Sequence, residues 1–252
     1  MRGSSFLVDL FDLLLPRGCV ACRDRIPPEE EEDLVCVRCR TLLRPLPPPC
    51  CPRCNVPLGT GHPDGAPCLE CAEWPEILRS ARAAVIMEPP ADALVHALKY
   101  GGWRGLGELM GHRMVAATSP SPGNQVVVPI PTTPRRRRGR GYNQARVLAE
   151  TVARGLGAPL VDALHRPRGG TQVKLGPLER RKNVESSFHV LPSARSRIQR
   201  SEVILIDDVL TTGATAVSAA RILGEYGAGS VRLLTFARAL PFGAEKLRAP
   251  LG

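Results

Sequence analysis

The sequence is poor in aromatic side chains and has no long apolar run. Tryptophan, tyrosine and phenylalanine make up 4% of the 252 residues, so a binding surface built mainly on stacking between bases and aromatic rings is not expected. No apolar stretch approaches the roughly 20 residues that a membrane-spanning helix needs. The GxxxxGK[ST] pattern is also absent, which argues against a P-loop ATPase.

The N-terminal segment has some features of an export signal. Residues 6–15 are mostly apolar, but Asp9 and Asp12 interrupt them and no small-residue cleavage site follows. The apolar positions recur at helical spacing, which predicts a short amphipathic helix that docks on the rest of the protein. We therefore expect a cytoplasmic protein without a transmembrane segment.

The net charge of +10 is unevenly distributed along the chain. Residues 1–80 carry 9 basic and 12 acidic side chains, whereas residues 81–252 carry 25 basic and 12 acidic ones. The second part therefore holds all of the excess positive charge. Such an excess favours a polyanionic partner, either phosphate groups or nucleic acid, although a generally basic surface has the same composition.

All nine cysteines lie before residue 72, and eight of them form four Cys-x-x-Cys pairs. A shift of 32 positions superimposes the first four on the second four, so the pattern is an internal repeat. Two thiolates on one tight turn supply half of a tetrahedral shell, and a second turn supplies the rest. We predict two zinc ribbons in tandem, each with one structural Zn²⁺. The predicted ligands are Cys19, Cys22, Cys36, Cys39, Cys51, Cys54, Cys68 and Cys71.

Other uses of paired cysteines fit less well. Disulfide bonds need an oxidising compartment, and the chain has no credible export signal. A redox Cys-x-x-Cys motif is typical of a single site beside a βαβ pattern. An iron–sulfur cluster stays an alternative, because four thiolates also bind iron. Cys50 lies outside the repeat and either replaces Cys51 or has no metal role.

The cysteine-rich module closes at Trp74 and Pro75, which predicts a domain boundary near residue 80. The module would span residues 1–80 and the second domain residues 81–252. Apolar runs alternate with helical periodicity in the second domain, which predicts an α/β fold with a mostly parallel sheet flanked by helices. The predicted strands are residues 81–87, 126–130, 202–207 and 231–237, and the predicted helices are residues 91–100, 106–117, 144–156 and 215–226.

Two basic stretches of the second domain have weak helical or strand patterns. Residues 131–144 directly follow a buried strand, so we predict a loop at the carboxyl end of the sheet, where open α/β sheets bind ligands. Residues 165–200 are punctuated by Gly and Pro. We predict a surface loop there, with a lid over a ligand as the sharper alternative.

Residues 203–215 hold the motif with the clearest chemistry. Four apolar residues predict a buried strand, and Asp207 and Asp208 follow at its carboxyl end. The next residues are small or carry hydroxyls and open a helix, where main-chain N–H groups can bind a phosphate. The carboxylates can accept hydrogen bonds from sugar hydroxyls or hold Mg²⁺ through water. The motif therefore predicts a site for a phosphorylated sugar.

The same residues resemble a known signature. Residues 203–215 read VILIDDVLTTGAT, which is similar to the phosphoribosyl pyrophosphate signature of type I phosphoribosyltransferases. Almost the whole chain resembles the ComF family, phosphoribosyltransferase-like proteins linked to competence and DNA uptake. Besides the N-terminal helix, the cysteine pairs and Phe188, the matching segments are LKYGG at 98–102, VPIP at 128–131, RGRGYNQA at 138–145 and QVKLGPLERRKNV at 172–184.

The resemblance implies a type I phosphoribosyltransferase-like fold and a role for each matching residue. Asp207 and Asp208 would act in catalysis by binding the ribose 2′- and 3′-hydroxyls, directly or through Mg²⁺. The turn after them would hold the 5′-phosphate, and the turn after VPIP would face the pyrophosphate. The implied phosphate ligands are Thr211, Thr212, Gly213, Ala214, Thr215, Thr132, Thr133 and Arg135. Candidates for a lid or for DNA contacts are Arg138, Arg140, Asn143, Gln172, Arg180, Arg181 and Asn183.

Two functions from different classes follow from these features. One is a phosphoribosyltransferase that takes phosphoribosyl pyrophosphate with Mg²⁺ as donor and an acceptor that the sequence does not name. The other is a binding protein without turnover, which senses a metabolite or holds single-stranded DNA on its basic face. The family resemblance adds proteins of a DNA-uptake machinery as expected partners.

Overall fold

The computed structural model describes residues 17–30, 34–59, 68–118, 123–166 and 188–240. The helix predicted at residues 6–15 lies outside the described residues. Across the described ranges, none of the helices combines the length and the apolar character that crossing a membrane would demand.

A parallel sheet forms the centre of the second domain. The strands are β1 (Leu78–Ile86), β2 (Gln125–Pro129), β3 (Leu164–His165), β4 (His189–Val190), β5 (Glu202–Leu210) and β6 (Ser230–Arg238). One four-stranded sheet has the spatial order β1, β6, β5, β2, and all its pairings are parallel. Strands β3 and β4 form a separate antiparallel pair. Strand β5 is an inner strand covered on both faces, which explains its continuous apolar run.

Helices of the second domain cover both faces of this sheet. The first ribbon contains helix α1 (Val37–Thr41), and the helices of the second domain are α2 (Ala91–Tyr100), α3 (Leu106–Ala116), α4 (Pro134–Arg140), α5 (Gln144–Leu156), α6 (Arg195–Ile198) and α7 (Ala214–Glu225). Helices α3 and α5 approach closely because Gly107 and Gly111 of α3 have no side chain. A Cβ atom at Gly107 would clash with Val147 Cγ1, and one at Gly111 would lie 2.6 Å from Thr151 Cβ. Helix α5 ends at Gly157, whose φ of 62° closes it in the left-handed conformation.

The two cysteine repeats pack on opposite faces of the sheet. The first ribbon (described residues within 17–44) joins a core formed by α2, α3, α5 and inward-facing residues such as Ile204 and Ile206. The second ribbon (described residues within 49–75) joins a core formed by α7 and residues such as Val203 and Leu205. Because successive strand residues point to opposite faces, β5 contributes to both cores.

The structure confirms most predicted elements and corrects four. The described C-terminal part of the surface loop predicted over residues 165–200 contains β4 and α6, and Phe188 and Ile198 there are buried in the core. Helices over residues 91–100 and 144–156 have the predicted bounds. Strand β1 begins three residues earlier than predicted, at Leu78, while the domain boundary near residue 80 stays a prediction. Strand β5 continues to Leu210, because Asp207 and the residues after it still pair with β6. The predicted loop at residues 131–144 contains helix α4, which Thr133 caps by accepting a hydrogen bond from the Arg136 N–H.

Candidate functional site

The carboxylates of Asp207 and Asp208 line a small cavity at the carboxyl end of the sheet. This cavity, which we call the acid cavity, has a volume of about 210 Å³. Four of the residues predicted to bind the ribose or its phosphates border it: Asp207, Asp208, Thr132 and Thr215. The elements that meet there are β5, the turn after it, the segment after β2 and the end of α2. The remaining lining residues are Lys99, Tyr100, Ile130, Pro131, Arg136, Arg140, Gln144 and Arg166.

Asp208 is the more deeply buried acid and is paired with a lysine. Its exposed fraction is 4%, and its Oδ1 atom lies 2.9 Å from Lys99 Nζ on the last turn of α2. The other oxygen, Oδ2, is buried without a hydrogen-bond partner among the described residues. A buried carboxylate oxygen without a partner is costly unless a cation or a donor group reaches it. This oxygen is therefore available to a ligand in the cavity.

Asp207 has an unusual protonation equilibrium. Burial, followed by the like charge of Asp208, raises its pKa to about 7. The Asp208 N–H donates to Asp207 Oδ1 at 2.9 Å, and this bond, together with Lys99 and Arg166, lowers the pKa and so offsets part of the increase. The carboxyl group of Asp207 consequently changes charge near neutral pH.

Residues 211–215, which form the turn after β5 and the first two residues of α7, have the geometry of an anion-binding turn. Gly213 has a φ of 80°, which a glycine adopts without strain, and lies directly before the first residue of α7. The first N–H groups of a 12-residue helix such as α7 have no partner within the helix. Thr211 and Thr212 are exposed, and Thr215 borders the acid cavity. We call these residues the phosphate turn.

A second cavity adjoins the first and is lined mainly by arginines. This arginine cavity has a volume of about 920 Å³ and is bordered by Thr133 and Arg135, two of the predicted phosphate ligands. Arg136, Arg140 and Arg166 border both cavities. The guanidinium of Arg140 lies 4.8 Å from the ring centre of Tyr100 and donates to Gln144 Oε1 at 2.9 Å. The structure thus brings a cluster of positive charge next to the twin acids.

Lys99, Arg136 and Arg166 belong to this site although they were not among the predicted ligands. Arg166 lies 5.1 Å from the ring centre of Phe188, and its pKa is lowered by burial and then by Arg136, while Asp207 acts in the opposite direction. Lys99 stands in the LKYGG segment of the family resemblance, which was a usable signal. Arg166 lies outside every motif, so only the fold could reveal it.

The remaining predicted contacts lie elsewhere or outside the described residues. Arg138 is exposed on α4 and borders neither of the two cavities. Asn143 donates to the Ile130 carbonyl at 3.0 Å, which ties the start of α5 to the end of β2. Gln172, Arg180, Arg181 and Asn183 lie outside the described residues, and so does most of the predicted lid.

The eight paired cysteines form two clusters with the geometry of zinc sites. Within each cluster, the four Sγ atoms lie within 4.8 Å of one another. Three separations, Cys22 to Cys36 at 3.8 Å, Cys51 to Cys71 at 3.8 Å and Cys54 to Cys68 at 3.7 Å, match the edge of about 3.8 Å expected for a tetrahedron with Zn–S bonds of about 2.3 Å. All nine cysteines are free. Cys50 stays outside both clusters and donates to the Pro47 carbonyl.

Comparisons with known proteins agree with both parts of this structure. Residues 143–247 match the phosphoribosyl transferase domain, and residues 10–72 match the double zinc ribbon domain. The fold and the clustered cysteines therefore define the class: a type I phosphoribosyltransferase-like α/β protein with an N-terminal double zinc ribbon.

Individual relatives identify the family within that class. The chain is 30% identical over 220 residues to the competence protein ComFC of Bacillus subtilis (strain 168), which covers 82% of this chain and 85% of the relative. The chain is also 29% identical over 199 residues to the DNA utilization protein YhgH of Salmonella typhi, covering 75% and 84%. This chain belongs to the ComF family. A solved glutamine phosphoribosylpyrophosphate amidotransferase from B. subtilis is similar with a TM-score of 0.41 and 18% identity, over 55% of this chain and 30% of that one.

Proposed function

We propose that this protein binds phosphoribosyl pyrophosphate together with Mg²⁺ in the acid cavity and the adjoining arginine cavity. The observation that carries the proposal is the convergence of two carboxylates, Thr215 of the phosphate turn and three arginines on two cavities that share lining residues. A doubly phosphorylated ribose needs donors and positive charge at both ends and acceptors for its hydroxyls between them. The site offers groups of all these kinds.

The 5′-phosphate belongs at the phosphate turn. Gly213 adopts the left-handed conformation that lets the chain turn into α7, and the amino end of α7 favours a negative charge. Thr211, Thr212 and Thr215 add hydroxyl donors, and Ala214 adds only its N–H group. We therefore assign the whole turn to one phosphate.

The ribose and the metal ion belong at the twin acids. Asp208 Oδ2 is a buried acceptor without a partner among the described residues, so the donor set fits a divalent cation or a ribose hydroxyl. Asp207 and Asp208 would hold Mg²⁺ directly or through water, and the bound ion would neutralise charge on the pyrophosphate. The Lys99 ammonium group already pairs with one oxygen of Asp208. When Mg²⁺ binds, this ammonium group must either share the carboxylate with the ion or move away from it.

The pyrophosphate belongs at the arginine cavity. Thr132, Thr133 and Arg135 lie on the segment after β2, and Arg136, Arg140 and Arg166 surround the same space. In phosphoribosyl transfer the bond between ribose C1 and pyrophosphate breaks while an acceptor bonds to C1. The task of the protein is to position the donor and to stabilise charge on the departing pyrophosphate. This cluster of arginines supports that task.

Calorimetry with phosphoribosyl pyrophosphate, with and without Mg²⁺, tests donor binding. We expect saturable binding that weakens strongly without Mg²⁺ and disappears in the double variant Asp207→Asn, Asp208→Asn. Glu225→Gln, an exposed change at the far end of α7, is the matched control and should bind like the wild type. A double variant with wild-type affinity would refute the assignment. Pyrophosphate release, measured with a panel of bases, then decides between an enzyme and a binding protein.

A second candidate function, the binding of single-stranded DNA, rests on helix α4. Arg135, Arg136, Arg137 and Arg138 are all exposed on this helix, and such a run attracts phosphates without sequence preference. Similar proteins are named for competence and for DNA utilization. We propose that the basic surface holds single-stranded DNA during DNA uptake or use, in contact with other proteins of that machinery.

A salt titration of oligonucleotide binding tests this second function. Replacing Arg137 and Arg138 by Gln should reduce the slope of log K against log salt concentration by about 1.4, because each phosphate contact contributes about 0.7 for a single strand. The matched control replaces Arg79 and Arg197, two exposed arginines away from α4, and should keep the wild-type slope. An equal reduction of this slope in both double variants would contradict a specific role for α4.

A further inference from the structure

The phosphate turn rests directly on a tryptophan of the second ribbon. Trp74 follows the zinc ligand Cys71 by three residues and is 8% exposed. A Cβ atom at Gly213 would lie 2.6 Å from Trp74 Cζ2, closer than real contacts allow. The indole ring therefore fills the space beside the main chain of the turn. A shift of Trp74 changes the support of the residues assigned to the 5′-phosphate.

The second ribbon holds Trp74 in place by its main chain. The Trp74 N–H donates to the carbonyl of Cys71 at 3.1 Å. Arg53 lies between the ligands Cys51 and Cys54, and its guanidinium donates to the carbonyls of Cys71 at 3.2 Å and Trp74 at 2.8 Å. The two cysteine turns of this ribbon are thus bridged at the residues that lead into Trp74.

A buried arginine provides a second connection between this ribbon and the sheet. Arg238 ends β6 opposite Leu210, the last residue before the phosphate turn. Its side chain is 1% exposed, and Nη1 donates to the Cys54 carbonyl at 2.8 Å while Nη2 lies 3.9 Å from Cys54 Sγ. A guanidinium beside a metal-binding thiolate compensates its charge and orients it. Arg238 therefore links one zinc ligand to β6, which pairs with β5 directly before the turn.

We propose that the second ribbon is a positioning element for the phosphate turn, and that Trp74 is the positioning residue through which it acts. When its four cysteines hold zinc, the ribbon keeps Trp74 against Gly213 and so preorganises the amides that receive the 5′-phosphate. The inference rests on the proposed function for the identity of that ligand. The described polar contacts of the first ribbon lie elsewhere: at α3, where Arg113 donates to the Arg40 carbonyl, and at the end of β1, where the Ile86 N–H donates to the Arg44 carbonyl at 2.9 Å.

Tryptophan fluorescence tests the contact. The chain has 2 tryptophans, so Trp103→Phe leaves Trp74 as the sole emitter. Titration with ribose 5-phosphate should change this emission with the same midpoint that calorimetry gives for ribose 5-phosphate. Binding by calorimetry without any change in Trp74 emission would contradict the proposal.

Variants of Trp74 test the positioning role. Trp74→Ala should weaken phosphoribosyl pyrophosphate binding about tenfold, the size of coupling measured between contacting residues. Trp74→Phe keeps a ring in the same space and should stay within about twofold of the wild type. Leu69→Ala changes a side chain of the same ribbon that is 92% exposed and should have no effect. Both zinc ions should be retained in all three variants, which separates positioning from loss of the ribbon.

The outcomes separate failure of this inference from failure of the proposed function. A wild-type protein that does not bind the donor refutes the proposed function. Normal affinity in Trp74→Ala refutes the positioning role and leaves the proposed function intact. Amide hydrogen exchange of residues 211–216 needs no ligand, and it should be faster in Trp74→Ala than in Leu69→Ala. Equal exchange in the two variants would also refute the positioning role.

Discussion

The two ribbons share one cysteine spacing but have different surroundings. Cys22 of the first ribbon is partly exposed, and the polar contact of this ribbon with α3 is an exposed bond from Arg113. In the second ribbon Cys54 is fully buried and contacts Arg238, whose exposed fraction is 1%. The same local pattern therefore leaves one ligand partly exposed in the first copy, whereas the corresponding ligand of the second copy is buried against an arginine of the sheet.

This difference teaches that a metal-binding repeat does not define its own role. The four thiolates determine only the local fold of each ribbon. What the ribbon supports depends on the side chains outside the ligand shell, Trp74 and Arg238 in one copy and Leu34 in the other. Three measurements on matched pairs of variants follow from this comparison, and a pH titration follows them.

Loss of one ligand from each ribbon should have the largest effect. Cys22→Ser and Cys54→Ser should each reduce the zinc content from two ions to one, measured by mass spectrometry. Cys54→Ser should lower the free energy of unfolding by about 4 kcal/mol and Cys22→Ser by about 2 kcal/mol. The difference is expected because only Cys54→Ser leaves the buried guanidinium of Arg238 without its thiolate partner. Equal destabilisation in urea unfolding would remove the distinction between the ribbons.

The arginine that anchors each ribbon gives the next contrast. Arg238→Met should cost about 3 kcal/mol, since the Cys54 carbonyl stays buried without its donor. Arg113→Met removes an exposed bond to the Arg40 carbonyl and should cost less than about 1 kcal/mol. Urea unfolding of both variants measures the two values. A small effect of Arg238→Met would mean that the hydrogen bond from β6 to the Cys54 carbonyl does not stabilise the second ribbon.

A glycine faces each ribbon, and the two respond differently to an added methyl group. Gly213→Ala should cost about 2 kcal/mol, because its φ of 80° is strained for alanine and its Cβ meets the Trp74 ring. Gly105→Ala meets only the end of the flexible Leu34 side chain, at 2.8 Å, in a helical conformation. Its effect should stay within about 0.5 kcal/mol. Thermal unfolding of the two variants checks the difference.

The smallest expected effect concerns pH. Asp207 has a raised pKa of about 7, and its ionised form attracts Mg²⁺ and accepts hydrogen bonds at both oxygens, whereas its protonated form is uncharged. Donor affinity should therefore increase with pH, about tenfold between pH 6 and pH 8, as the ionised fraction rises from about a tenth to about nine-tenths. Asp207→Asn should show no such increase in calorimetry.

The same titration sharpens the role of Trp74. Trp74→Ala should keep the midpoint near pH 7 at a lower overall affinity, because Trp74 contacts the turn and not the acids. A shifted midpoint in that variant would show that the second ribbon acts on the carboxylates instead.

Several elements could be predicted because their signals are local. Helix α5 has the predicted bounds, since apolar residues recur at helical spacing and Gly157 stops it. Helix α4 was missed because the arginine run was interpreted as a polar loop. Its start at Thr133 and Pro134 and its end at Gly141, with φ 80°, are ordinary helix signals. The extension of β5 through its acids has no local signal, because pairing with β6 overrides the low strand propensity of Asp.

The sequence by itself determined the eight zinc ligands, the twin acids and the turn that follows them. Each is a short pattern whose chemistry depends on neighbours along the chain. Only the tertiary structure decided that Lys99 pairs with Asp208, that Arg166 enters the site and that Trp74 supports Gly213. These contacts join residues far apart in sequence, and they exist because the sheet and its two covering layers bring those residues together.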